Sequence, residues 1–233
     1  GTLAAAVAPS VLAQDQKKKK PAPTTPAVKS ANDRLRIAVL GVNGRGKPHI
    51  EEIMKLAETA NVDVAVLCDR DMNVLQQRAA EFEKEYGKPV MIEQDFRRTL
   101  EDKSIDAVTI ASPNHWHALQ VIWACQAGKD VYVEKPATHN IYEGKKMIEA
   151  AYKYNRIVQH GVQLRSSVAI REAVQHLRDG LIGRVYMSRG LVYRWRPDIG
   201  DKGISKTPEG LNYDLWCGPA PMRPFTRNLV HYN

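Results

Sequence analysis

The chain has 233 residues, with 34 Lys and Arg against 26 Asp and Glu, a formal charge of +8, and 43% hydrophobic residues. That length suits one large or two modest domains of roughly 100–200 residues and can bury a core, and the apolar fraction excludes a wholly disordered chain. No apolar run of about 18 residues exists to span a bilayer, and three scattered cysteines (Cys68, Cys125 and Cys217) exclude a disulfide scaffold and a cysteine-based zinc site.

Residues 1–13 are uncharged and Ala-rich and end in Val11-Leu12-Ala13, with small residues at the −3 and −1 places of a signal-peptidase site. This predicts the late part of a secretory signal peptide, hence a periplasmic or secreted protein. Residues 14–33 follow as a linker. Lys17, Lys18, Lys19, Lys20 and Lys29 against Asp15 place +4 of the charge within residues 14–29, among Pro21, Pro23 and Pro26. Such a composition stays solvated. It reads as a tether, or as an anchor for an anionic surface, and the charge does not point to nucleic acid.

From Arg34 the pattern alternates between strand and helix. Leu35–Leu40 reads as a buried strand ending at Gly41, and 47–59 as an amphipathic helix. Val62–Cys68 is a second strand and 71–86 a second helix. Val90–Ile92 is a weak strand before a short helix at 95–101. Asp106–Ser112 is a strong strand, 115–127 a helix, Val131–Val133 a strand, 141–154 a helix and 157–159 a last strand. Strands alternating with helices, with no hairpin signal, predict an α/β fold with an N-terminal doubly wound parallel (Rossmann) sheet over 34–160. A helix over 166–180 and a strand-like run at 184–195, with Tyr186, Tyr193 and Trp195 on a core face, open an α+β region over 161–233 that is incomplete.

The first strand runs into Gly41-Val42-Asn43-Gly44-Arg45-Gly46. A dinucleotide turn needs G-x-G-x-x-G, so that backbone N–H groups and a helix start can face a pyrophosphate. Gly41 and Gly46 hold the first and third places. Asn43 holds the second, as a residue that tolerates left-handed backbone, with Gly44 supplying room. Asp69 ends strand two, 23 residues beyond Gly46, where a carboxylate accepts both ribose hydroxyls of NAD. Arg70 beside it is placed to stack on adenine or to meet the 2′-phosphate of NADP. The competing assignment is an ordinary turn with Asp69 capping a helix.

Two further turns lie at carboxyl ends of strands, where open α/β sheets bind ligands: Ser112-Pro113-Asn114-His115-Trp116-His117 and Glu134-Lys135-Pro136. Lys135 is poorly explained by packing and suits general acid/base chemistry if partial burial lowers its pKa. A cis bond at Glu134–Lys135 would re-aim it. His49 suits capping or packing. Trp116 and Trp123 read as core or pocket wall. No spacing suggests a metal site.

The Gly41–Gly46 turn, Cys68-Asp69, Ser112-Pro113-Asn114 with His117, Ala127-Gly128-Lys129-Asp130-Val131 and Glu134-Lys135-Pro136 resemble the glucose–fructose oxidoreductase / inositol dehydrogenase / MocA family (Gfo/Idh/MocA). Gly161-Val162-Gln163-Leu164-Arg165 and Asn212 to Pro219 resemble its secreted, twin-arginine-exported members. The resemblance implies an NAD(P)-dependent oxidoreductase acting on a sugar or polyol, homo-oligomeric as a full-length protein. It makes Lys135 catalytic with His117 beside it. Gly41, Asn43, Gly44, Arg45, Gly46, Asp69, Arg70, Ser112, Asn114, His117, Glu134 and Lys135 form the cofactor side, and Gln163 and Arg165 face substrate. The family's downstream Asp…His pair is missing, so the chain reads as C-terminally truncated. Two alternatives stand beside a dehydrogenase: a glycoside hydrolase or lyase that uses tightly held NAD transiently, and a non-catalytic nucleotide-binding remnant.

Overall fold

A computed structural model describes residues 34–57, 59–195 and 197–230; the expected signal peptide at 1–13 and the linker at 14–33 lie outside the described residues. The strands are β1 (Leu35–Leu40), β2 (Val62–Cys68), β3 (Met91–Glu93), β4 (Ala107–Ile110), β5 (Asp130–Glu134) and β6 (Val158–Gly161). Between them run α1 (Gly46–Leu56), α2 (Met72–Tyr86), α3 (Phe96–Glu101), α4 (His117–Gln126) and α5 (Ile141–Lys153). Every strand pairs in parallel, in the order β3-β2-β1-β4-β5-β6. The order reverses between β1 and β4, so the connections leaving their carboxyl ends diverge and open a crevice there.

The period of two along a strand sends alternate residues to opposite faces. Ala38 and Leu40 of β1 join a core with Phe96, Val121, Cys125 and Met147, under α3, α4 and α5. Val39, between them, joins Ile50, Ile53, Leu75 and Phe82, under α1 and α2. Both faces are therefore covered, as the near-continuous apolar strands require. Strand ends follow register rather than apolarity. β5 extends to Glu134 because Glu134 still opposes Gly161 of β6, and β3 begins at Met91, opposite Val66.

After β6 come α6 (Val168–Arg178), α7 (Tyr213–Cys217) and α8 (Arg227–Val230). Two expectations fail here. Residues 184–195 form no strand, and Tyr186, Tyr193 and Trp195 are 89, 86 and 82% exposed instead of lining a core. An extended run needs a neighbouring strand to satisfy its N–H and C=O groups, and no described strand runs beside it. One later segment does return to the sheet. Leu211 makes an antiparallel bridge to Asp71, Met72 N–H donates to Gly210 O at 2.9 Å and Asn212 N–H to Arg70 O at 2.9 Å. Leu211 is buried within this strap, and Cys217 and Phe225 are buried beyond it. Among the described residues no helix is long and apolar enough to cross a membrane.

Phe96 anchors the core beneath that strap. It is 1% exposed, stacks on Trp123 at 5.6 Å and meets Trp116 edge-on at 5.0 Å between ring centroids. Phe96→Ala should lower the free energy of unfolding by about 3–5 kcal/mol, the usual cost of removing a buried aromatic ring, read as a lower denaturant midpoint. A loss below about 1 kcal/mol would show that the ring is not packed as described.

Candidate functional site

The turn after β1 is closed by two glycines. Gly41 adopts φ +87°, and a Cβ there would lie 2.6 Å from Ser112 N. A Cβ on Gly46 would lie 1.8 Å from Gly41 O, whereas one on Gly44 would meet nothing within 4 Å. The first and third glycines thus serve close packing, and Gly44 leaves the outer side open for a ligand's approach. Asn43 is exposed and does not take the left-handed backbone expected of it; that conformation falls at Gly41.

Asp69 sits at the end of β2 facing this turn. Its Oδ2 accepts from Val42 N–H at 2.9 Å and its Oδ1 from Asp71 N–H at 3.2 Å. Helix α2 is capped by Asp71, which accepts from Asn73 N–H, so Asp69 is not the cap. Its half-exposed carboxylate, aimed by two backbone donors, keeps lone pairs for a ribose diol. Arg70 departs from expectation. Its side chain turns inward, 1% exposed, with the guanidinium 5.4 Å from the Phe96 ring and 5.2 Å from the Trp116 ring.

Glu134, at the end of β5, gathers the rest. Its Oε1 accepts from Arg45 Nε and His49 Nε2, both at 3.1 Å, and from Gln163 Nε2 at 3.1 Å, while its Oε2 faces Lys135 N–H at 3.3 Å. The carboxylate is 3% exposed. Burial pushes its pKa up, but the hydrogen bonds from His49 and Arg45 outweigh that and leave it below the ordinary value. Burial lowers the pKa of His49, against the raising effect of Glu134. A carboxylate only accepts, so His49 Nε2 donates to Glu134, with Nδ1 left buried and unpartnered among the described residues. His49 is the residue that sequence reasoning missed. Its signal was the spacing from Arg45, since residues four apart share a helix face. Gln163, expected at the substrate, is held on Glu134, and Arg165 lies exposed on the same 3₁₀ turn, Gln163–Ser166.

Lys135 projects from this hub and is exposed, where partial burial was expected. The cis bond is Lys135–Pro136, not Glu134–Lys135. His117 is 1% exposed, with Nδ1 2.7 Å from Pro136 O and Nε2 2.8 Å from Ser112 O. A carbonyl only accepts, so the ring ties the two turns together and presents no nitrogen to a substrate; in place of the expected catalytic contact, it positions. The Ser112 hydroxyl is likewise turned inward to Gln120 Oε1 at 2.5 Å, leaving Asn114 exposed and Pro113 half-buried. The glycine turn, Asp69, the 112–114 turn and Lys135 thus share one crevice. Its open approach at Gly44 and its aimed carboxylate fit a dinucleotide.

Residues 35–162 match the sequence profile of the GFO_IDH_MocA oxidoreductase family, described as having an NAD-binding Rossmann fold. The chain belongs to that family. It is 31% identical over 157 residues to scyllo-inositol 2-dehydrogenase (NAD(+)) of Bacillus subtilis strain 168, covering 67% of this chain and 44% of that protein. It is 27% identical over 204 residues to a glycosyl hydrolase family 109 protein of Saccharopolyspora erythraea, covering 80% of this chain and 42% of that one. The crystal structure of myo-inositol 2-dehydrogenase from Lactobacillus plantarum superposes with a TM-score of 0.57 at 25% identity, over 66% of this chain and 43% of that one. This Gfo/Idh/MocA chain spans less than half the length of each.

Because Glu134 is held below its ordinary pKa, its network contributes stability at neutral pH that is lost as pH falls through the lowered folded value. Glu134→Gln should destabilise the chain at neutral pH by about 1–3 kcal/mol and reduce the loss of stability on acidification, measured by urea unfolding across pH. An unchanged acid dependence would remove Glu134 from the account.

Proposed function

We propose that this chain forms the NAD-binding part of an oxidoreductase that oxidises a hydroxyl carbon of a sugar or cyclic polyol. The observation that carries the reading is the convergence of the glycine turn, the aimed Asp69 carboxylate and the exposed Lys135 at one edge of the sheet. NAD, when bound, supplies the hydride acceptor. The chain's own residues do the remainder. Backbone N–H groups on the outer side of the turn, after Val42, face the pyrophosphate, Asp69 accepts the ribose hydroxyls, and the Ser112-Pro113-Asn114 turn lines the nicotinamide side. Lys135 Nζ takes the hydroxyl proton as the neighbouring C–H leaves as hydride. Glu134 and His117 hold the Lys135 turn against the glycine turn and the 112–114 turn. NAD is favoured over NADP because a carboxylate at the ribose repels a 2′-phosphate. The inositol dehydrogenase names among the relatives support a polyol substrate.

The glycosyl hydrolase family 109 relative supports a second reading, in which NAD stays bound and is reduced only transiently while a glycoside is cleaved. Export through the small-residue site at Val11-Leu12-Ala13 would suit it, since a folded, cofactor-loaded protein needs no outside NAD. N-terminal sequencing of the exported protein tests that cleavage.

Lys135→Met should reduce turnover by about 10²–10⁴-fold, the usual worth of an acid/base group, and leave NAD⁺ affinity within about twofold. Steady NADH formation with a cyclic polyol supports the first reading; aglycone release from a glycoside without net NADH supports the second. Unchanged turnover in Lys135→Met contradicts the role given to Lys135 in both.

A further inference from the structure

Arg70 is the least expected side chain at the cofactor edge. It follows Asp69, where an arginine can meet the 2′-phosphate of NADP, yet it is 1% exposed. Nε and both terminal nitrogens are buried with no hydrogen-bond partner among the described residues. An unpaired buried guanidinium is costly, by several kcal/mol against its hydrated state. Here the faces of Phe96 and Trp116 compensate part of that cost, at 5.4 and 5.2 Å, and the nearby carboxylates of Asp69 and Asp95 add attraction. Neither satisfies the fork of N–H donors, so solvent and an anionic group outside would both draw the side chain outward.

The strap keeps it in. Residues 209–216 cross the ends of β2 and the 3₁₀ turn Asn114–Trp116. Asn212 N–H donates to Arg70 O at 2.9 Å, and Gln94 Nε2 donates to Arg70 O at 3.0 Å and Gly210 O at 2.8 Å. Asn73 Nδ2 donates to Glu209 O at 2.8 Å. At the far end, Trp116 Nε1 donates to Leu215 O at 2.9 Å, and His115 Nε2 lies 2.7 Å from Trp216 O. The strap therefore grips the backbone of Arg70 and, through Trp116, one of the two rings that its guanidinium packs against. Asp69 stays half-exposed beside it.

We propose that the 209–216 strap sets cofactor choice, holding Arg70 inward so that the ribose end of the site presents a carboxylate without a cation. This rests on the NAD reading above and adds to it a specificity device far from β2 in sequence. Loosening the strap frees Arg70 to pair with a 2′-phosphate, which a charge-assisted fork binds well.

Calorimetric titration of the chain with NAD⁺ and NADP⁺ tests this without any activity readout. The unaltered chain should bind NAD⁺ at least about tenfold more tightly than NADP⁺. Arg70→Met keeps the apolar stem and removes the charge, and it should leave both affinities within about twofold, because the guanidinium does not reach the nucleotide. Gly210→Val disturbs the strap alone, since Gly210 has φ +88° and a Cβ there would lie 2.6 Å from Asn73 Nδ2. It should strengthen NADP⁺ binding by at least about fivefold, and the gain should vanish in the Gly210→Val/Arg70→Met double variant. A merely structural strap would not produce an Arg70-dependent gain for one nucleotide. A loss of more than about fivefold in either affinity in Arg70→Met overturns the proposal, as does an unchanged NADP⁺ to NAD⁺ ratio in Gly210→Val. Absence of saturable binding by the unaltered chain overturns instead the cofactor reading on which it rests.

Discussion

One buried carboxylate links the two turns on which the site depends. Glu134 accepts from Arg45 and His49 of the segment following β1 and from Gln163 after β6, and faces the backbone N–H of Lys135. Arg45 and Glu134 lie 89 residues apart in sequence. The sheet order brings them together, since β1 and β5 flank β4 and end at the same edge. A buried charge without partners would be strongly unfavourable, and a satisfied one fixes geometry. The hub therefore couples the position of the glycine turn to that of Lys135. Across the same edge, His117 ties the Lys135-Pro136 turn to the 112–114 turn. Lys135 itself is left exposed between two clasped backbones.

The adenine-side end follows a different logic. There a poorly satisfied guanidinium is buried against Phe96 and Trp116 while the Asp69 carboxylate stays half-exposed. The glycine turn, by contrast, is governed by steric closeness, with Gly46 against Gly41 O and Gly41 against Ser112 N. Steric fit and aimed hydrogen bonds thus fix the glycine turn and the Asp69 carboxylate before any ligand arrives. Such preorganisation lowers the cost of binding.

Much of the Rossmann part was legible in the sequence, because local signals and the final structure agree there. Apolar runs at Leu35–Leu40 and Val62–Cys68 are strands buried on both faces, and the glycine spacing marked the turn between β1 and α1. Strand ends were less legible, since they depend on the partner's register, as at Glu134 opposite Gly161. The Glu134 hub was illegible because hydrogen bonds over such separations leave no local pattern; only the Arg45–His49 spacing hinted at a shared face. The inward turn of Arg70 depends on Asn212, Leu215 and their neighbours, so nothing near Arg70 could announce it. The alternation at 184–195 was real, but a strand exists only beside another strand.

The central claim is that a dinucleotide lies across the carboxyl edge between the glycine turn and the Lys135 turn. Amide chemical-shift mapping of the labelled chain on titration with NAD⁺ tests it most directly. The account predicts saturable shifts concentrated at Gly41–Gly46, Asp69, Ser112, Asn114 and Lys135, with α6 and the exposed 184–195 run unmoved. Shifts clustered on those later segments, or none at the glycine turn at saturating NAD⁺, would contradict it.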